Sequence, residues 1–286
     1  MQTGVIGIIG GSGFYDIAAL TDVREVDIET PFGKPSDPPV LGKIGGRDVA
    51  FIARHGRGHR MMPTLVPTQA NVFALKMLGV THLVSVSAVG SMKEEIEPLH
   101  LVVPDQIIDR TVHRPRTFFA EGPVVHVAFA NPYDDGLREL LIQAAEIVGA
   151  TVHRGGTYIC IEGPQFSTLA ESLLYRSWGM SVVGMTAMPE ARLAREAEMC
   201  YATLAMATDY DCWHTGHESV TADLVTQNLA KNVQKAKDTV VTLVGLISDT
   251  YESPSATALQ SAIMTRLDLV PKEVLEKMRP LLGRYL

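Results

Sequence analysis

Apolar residues along this chain fall into short runs that alternate with stretches of helical spacing. Residues 5–9 form a continuous apolar run, stopped by Gly10-Gly11-Ser12-Gly13, and read as a buried strand. Residues 40–44 and 48–53 read as two strands of a hairpin turned at Gly45-Gly46. Residues 69–78 carry helical spacing and close at Gly79, a natural C-cap. Strands are expected at 82–87, 101–103, 106–108, 157–161, 182–185 and 200–208. Helices are expected at 135–148, 169–177, from Pro189 onward, at 222–246 and at 272–282.

Strands that alternate with helices predict an α/β fold with a largely parallel central sheet covered on both faces. The hairpin at Gly45 makes that sheet mixed. No linker or repeat divides the chain, so residues 1–286 are read as one domain, helical from about 218. Apolar residues make up 46% of the chain, enough for a packed core. The net charge of −7 argues against a partner such as nucleic acid. No apolar run is long enough to span a bilayer, and no basic-then-apolar leader is visible. Cys160, Cys200 and Cys212 lie in apolar surroundings without metal-like spacing, as reduced thiols would. A cytoplasmic protein is expected.

In open α/β sheets, ligands collect at the carboxyl ends of strands. The unusual residues of this chain stand at such ends. Gly10-Gly11-Ser12-Gly13 frees backbone N–H groups and one hydroxyl for an anion. A dinucleotide loop is the rival, but Asp16 stands where Gly-x-Gly-x-x-Gly needs its last glycine. Arg54-His55-Gly56-Arg57-Gly58-His59-Arg60 is a cationic run after a strand. Arg54 and His55, closest to the strand end, are the candidates for phosphate, one by its fork and the other as a second donor. Arg57, His59 and Arg60 read as peripheral, and His113, Arg114, Arg116 and His126 as surface or interface residues. Ser87-Ala88 and Met185-Thr186 each add a hydroxyl near a strand end; such groups also satisfy turns.

The run Ala205-Met-Ala-Thr-Asp209-Tyr-Asp211-Cys-Trp213 ends an apolar strand in two carboxylates. If both sat on the strand they would share a face. Close carboxylates in a dry pocket do not both ionise freely, so one keeps its proton. One donor beside one acceptor matches the N7 and 6-amino edge of an aminopurine; a loop-capping Asp-x-Asp is the alternative. His214 and His217 follow, but without a His-Glu-x-x-His or cysteine set no metal is expected.

These segments, with Thr30-Pro-Phe-Gly-Lys-Pro-Ser36, Gln69-Ala-Asn71, Ala88-Val-Gly-Ser91, Glu162-Gly-Pro-Gln-Phe-Ser167 and Pro189-Glu190, resemble the 5′-methylthioadenosine phosphorylases. That group belongs to the trimeric purine nucleoside phosphorylases. The resemblance runs from about residue 5 to about residue 250. It implies phosphate-dependent cleavage of S-methyl-5′-thioadenosine to adenine and 5-methylthioribose 1-phosphate, in purine and methionine salvage. It also implies a homotrimer and no cofactor besides the co-substrate phosphate. By resemblance, Ser12, Arg54, His55, Ser87, Ala88 and Thr186 form the phosphate site. Met185 packs on the ribose, Phe166 and Ser167 lie by the base, and Asp209 and Asp211 recognise it. His126 reaches a neighbouring subunit's 5′ pocket, and Ala222, Val225 and Thr226 line the methylthio end. Ala222 and Thr226 stand where relatives have larger apolar residues, which leaves a 5′ hydroxyl open as an alternative substituent. A broader adenosine phosphorylase, a nucleosidase that uses water and a nucleoside-binding module without turnover are the other readings.

Overall fold

The computed structural model describes residues 4–11, 17–214, 222–251 and 253–286. Its strands are β1 (Val5–Gly10), β2 (Thr21–Glu25), β3 (Val40–Ile44), β4 (Arg47–Ala53), β5 (Val80–Ser91), β6 (Leu101–Val103), β7 (Gln106–Arg110), β8 (Val152–Arg154), β9 (Thr157–Ile161), β10 (Val182–Gly184) and β11 (Cys200–Asp209). Its helices are α1 (Thr68–Met77), α2 (Asp135–Ile147), α3 (Leu169–Ser177), α4 (Ala187–Glu196), α5 (Ala222–Leu246), α6 (Lys272–Lys277) and α7 (Arg279–Leu282).

All described strands join one sheet in the order β2-β3-β4-β1-β5-β10-β9-β7, with β11 on β5 and β6, and β8 on β6. β5 is the hub. It pairs in parallel with β1 and β11, and antiparallel with β10 at Gly90 and Ser91. The sheet is mixed, as expected, with four antiparallel pairings: β2–β3, β3–β4, β6–β11 and β5–β10.

Alternation along the strands sorts side chains to two faces. On β1, Ile6 and Ile8 pack toward α2 and α5 with Leu137, Leu141, Val240 and Leu243. Ile9 points the other way, onto α1, α4 and α7 with Phe73, Leu193 and Leu281. Both faces are therefore covered, and β11 is buried along its whole length.

Three elements depart from the pattern reading. β2 was not expected, because all five of its residues are exposed and carry no apolar alternation. β8 is only three residues long. The C-terminal stretch 272–282 splits into α6 and α7 at Met278, since Pro280 lacks an N–H and its ring opposes a continuous helix.

Candidate functional site

A cavity of about 510 Å³ opens at the carboxyl ends of β1, β4, β5, β9, β10 and β11. Gly11, Arg54, His55, Ser87, Ala88, Met185 and Thr186 line one end, and Asp209 and Asp211 another. Phe166 and Ser167 close it from the loop before α3, and Val225, Leu229 and Val233 of α5 from above. That loop is anchored by a capping box. Thr168 accepts from the Glu171 amide, and the Glu171 carboxylate accepts in return from the Thr168 amide.

The anion end differs from the sequence reading in its charge. Arg54 is buried, and its fork is turned onto Glu190, not into the cavity. Nε donates to Glu190 Oε1 at 2.5 Å, and Nη2 to Ser85 Oγ at 2.8 Å and to the Ile9 carbonyl at 3.2 Å. Nη1 donates to the Val86 carbonyl at 2.9 Å. A guanidinium has five N–H groups. Among the described residues, one N–H on Nη1 is left for a ligand. Burial opposes the charge on Arg54, but the Glu190 carboxylate outweighs it and raises the pKa. Ser85 Oγ and Tyr201 Oη also approach Glu190 Oε2, at 2.8 and 3.3 Å. The other cations of the run are engaged too: Arg57 with Glu25, Arg60 with the Ser36 carbonyl.

His55, unlike Arg54, is not cationic. Its Nδ1 sits 2.8 Å from the Met61 carbonyl, which can only accept, so Nδ1 carries a proton. Burial, then the Arg54 charge, lowers its pKa to about 4. His55 is therefore neutral at pH 7, and Nε2 is an acceptor; the expectation of His55 as a second donor to the anion is corrected. His59 is not peripheral. It lines the cavity and stacks on His55, with ring centroids 4.3 Å apart. Ser87 Oγ is buried without a well-formed hydrogen bond among the described residues. Thr186 stands at the start of α4, its Oγ1 3.3 Å from Tyr158 Oη. Ser12 lies outside the described residues.

Asp209 ends β11, but Asp211 is not on the strand. It opens a 3₁₀ turn with φ of +51°, so the shared-face argument from strand period does not apply. The two acids meet through the turn instead: the Asp211 amide donates to Asp209 Oδ1 at 2.8 Å. Thr208 Oγ1 lies 2.7 Å from Asp209 Oδ2. Both carboxyls titrate above the usual range. Burial is the leading cause for each, and the charge of Asp211 adds only a small part to the Asp209 shift. A dry setting, more than mutual repulsion, is therefore what raises the pair. Asp211 Oδ2, Ser167 Oγ and Ser172 Oγ are buried without well-formed hydrogen bonds among the described residues, and of the three residues Asp211 and Ser167 line the cavity. Gly90 makes room there, since a Cβ on it would sit 2.9 Å from Asp209 Oδ1.

Between the two ends lies Met185. A Cβ on Gly163 would come within 2.5 Å of its Sδ, so the bare backbone makes space for it. Arg114 braces this stretch from behind and is buried, not a surface residue. Nη1 donates to the Met185 and Met188 carbonyls at 2.6 and 2.7 Å, and Nη2 to the Glu162 carbonyl at 2.8 Å. Neither Arg114 nor Glu190 was assigned a role from sequence. Both act through partners more than 45 positions away, which one chain's pattern does not disclose.

At the remaining end, α5 presents Val225, Leu229 and Val233 at intervals of four. Thr226 is one position further round the helix, exposed and off the cavity wall, so its expected lining role is corrected. The Ala222 side chain lies outside the described residues. His126 is exposed and does not line the cavity within this chain.

The family model described as "Phosphorylase superfamily" matches residues 5–245. The S-methyl-5′-thioadenosine phosphorylase of Geobacter sulfurreducens is 53% identical over 282 residues, 98% of this chain and 99% of that protein. The enzyme of the same name from Thermosynechococcus vestitus is 53% identical, with all of both chains covered. A methylthioadenosine phosphorylase from an antarctic soil metagenomic library superposes with a TM-score of 0.93 at 48% identity, covering 98% of this chain and 99% of that one. The Schistosoma mansoni methylthioadenosine phosphorylase in complex with adenine superposes with a TM-score of 0.84 at 35% identity, covering 93% and 100%. The match spans essentially the whole chain on the same fold: the chain belongs to the phosphorylase superfamily and, within it, to the S-methyl-5′-thioadenosine phosphorylases.

Proposed function

We propose that the cavity cleaves S-methyl-5′-thioadenosine with phosphate, giving adenine and 5-methylthioribose 1-phosphate. The observation that carries this reading is one continuous cavity with an anion end at Arg54, His55, Ser87 and Thr186 and a buried acid pair at the other. Phosphate at the first end would attack C1′ as the base leaves through an oxocarbenium-like transition state. Ser87, Thr186 and the one open N–H of Arg54 would hold it in line. Asp209, kept protonated by burial, would donate toward N7 and make adenine a better leaving group. Asp211 would accept from the 6-amino group; a 6-oxo base would set oxygen against oxygen there. Met185 would pack on the ribose, and Phe166 and Ser167 would border the base.

The wall formed by Val225, Leu229 and Val233 is apolar, which favours a methylthio group over a hydroxyl. A broader reading that includes adenosine draws support from Schistosoma mansoni relatives described as adenosine/methylthioadenosine phosphorylases. Half-exposed Leu169, Leu173 and Trp178 on and beside α3 support a homotrimer, with His126 turned to a neighbour's cavity. Light scattering would read a mass of three chains. No cofactor is proposed, and activity should survive dialysis against a chelator. Among the described residues no helix is long and apolar enough to cross a membrane; a cytoplasmic setting is the proposed one. The deciding assay follows base release from 6-amino and 6-oxo nucleosides with and without phosphate. Adenine release that ignores phosphate would overturn phosphorolysis, and binding without product would favour a module that only holds nucleosides.

A further inference from the structure

We propose that His55 is the specificity-determining residue of the anion end. It accepts a hydrogen bond from the P–O–H of hydrogen phosphate and so favours protonated tetrahedral oxyanions over sulfate. The inference rests on the phosphorolysis reading and concerns how the same site tells phosphate from other tetrahedral anions.

The argument is one of donor and acceptor counts. The Met61 carbonyl takes the Nδ1 proton at 2.8 Å, which fixes the tautomer of the neutral ring. Nε2 then carries a lone pair, and it has no partner among the described residues although His55 lines the cavity. The ring cannot swing away from that pose freely, since it is buried and stacked against His59. Taking up a second proton would turn Nε2 into a donor, but burial and the neighbouring Arg54, His59 and Arg114 all oppose it.

The other groups at this end do not discriminate. The hydroxyls of Ser87 and Thr186 and the one open N–H of Arg54 can donate to any tetrahedral anion. The positive charge of Arg54 is already matched by Glu190, so charge alone does not pull sulfate in. At neutral pH phosphate and arsenate keep at least one proton, and sulfate keeps none. An unprotonated oxygen against Nε2 sets lone pair against lone pair and leaves a buried acceptor unpaired.

The test compares three anions on the native protein with S-methyl-5′-thioadenosine as substrate. Arsenate should replace phosphate as nucleophile with a KM within about threefold of that for phosphate, while sulfate should compete with a Ki at least about tenfold weaker. His55→Gln places an amide that can offer NH₂ at the Nε2 position, and the sulfate gap should shrink to about threefold or less. A thermal melt establishes that the variant is folded; should it fail to fold, the native comparison decides alone. Sulfate inhibition of the native protein as strong as phosphate binding, or an unchanged gap in folded His55→Gln, would overturn the inference. Adenine release with neither phosphate nor arsenate present would instead overturn the phosphorolysis reading beneath it, and the two failures are read from different columns of the same assay.

Discussion

Glu190→Gln isolates what the buried carboxylate does for Arg54. Glutamine keeps the shape and one acceptor oxygen, so the change removes charge with little loss of volume. Arg54 and Glu190 are both buried and joined at 2.5 Å, which leaves the guanidinium as an uncompensated charge in the variant. Removing one partner of a buried pair costs about 3–5 kcal/mol, and the retained oxygen places this case near 3. For a chain of this length 1 kcal/mol moves Tm by about 2 °C, so the melt should fall by about 6 °C. Ser85→Ala serves as the control. It removes a hydrogen bond to the same carboxylate but no charge, and should cost only about 1 kcal/mol. Arg54 borders the cavity and keeps one open N–H on Nη1, so with its charge no longer matched phosphate should bind the variant more tightly. A tenfold gain in affinity would return about 1.4 kcal/mol more stability from saturating phosphate than the native protein receives. Differential scanning calorimetry with and without phosphate reads both effects. Equal melts without ligand, or equal stabilisation of both proteins by phosphate, would refute the reasoning.

Other outcomes follow from the same geometry. Asp209→Asn should shift activity from adenine toward hypoxanthine nucleosides; a base-release panel in which both classes fall together would remove Asp209 from base selection. Asp211→Asn should raise the neutral-pH melting temperature while lowering activity. The raised Asp211 pKa means the folded state bears its cost only as pH climbs above the ordinary carboxylate range, so the gain should shrink in acid. Gly90→Ala should lower kcat/KM without deleting any functional group, because its Cβ would press on Asp209 Oδ1; unchanged kinetics would show that the loop yields freely. Glu162 behaves oppositely to the buried acids. Burial pushes it up, but the Thr64 hydroxyl, the Val112 and His113 amides and Arg114 outweigh that and hold it at about 2. Its stabilising contribution is present above pH 4.5 and lost as pH falls toward 2, so Glu162→Gln should flatten that part of the acid unfolding curve.

Much of the fold was legible because its signals are local. Apolar runs marked β1 and β11, Gly45-Gly46 marked the hairpin, and Gly79 and Gly149 marked helix ends. β5 runs on to Ser91, past residue 87 where the strand was expected to end, because β10 arrives antiparallel to pair with it. That pairing joins segments about ninety positions apart and leaves no local trace. The candidate site divides the same way. Hydroxyls, histidines and acids at strand ends were visible as residue types, but their protonation was not. His55 is neutral because it is buried beside Arg54, a carbonyl six residues on fixes which nitrogen keeps the proton, and Arg54 is neutralised from across the fold by Glu190. The acid pair was found for a partly mistaken reason: the strand period suggested convergence, whereas a left-handed residue at Asp211 produces it.

One strand has a bearing on how ligands for this enzyme should be shaped. Ser87 and Gly90 lie three residues apart on β5, so roughly 10 Å of laddered backbone separates nucleophile seat from leaving-group seat. Pairing with β11 along the span and with β10 at Gly90 stiffens it. It acts as a fixed ruler. Compounds that bridge both seats gain most from rigidity and matched length, while variation in the covering face of α5 alters which tails are tolerated and leaves the ruler itself unchanged.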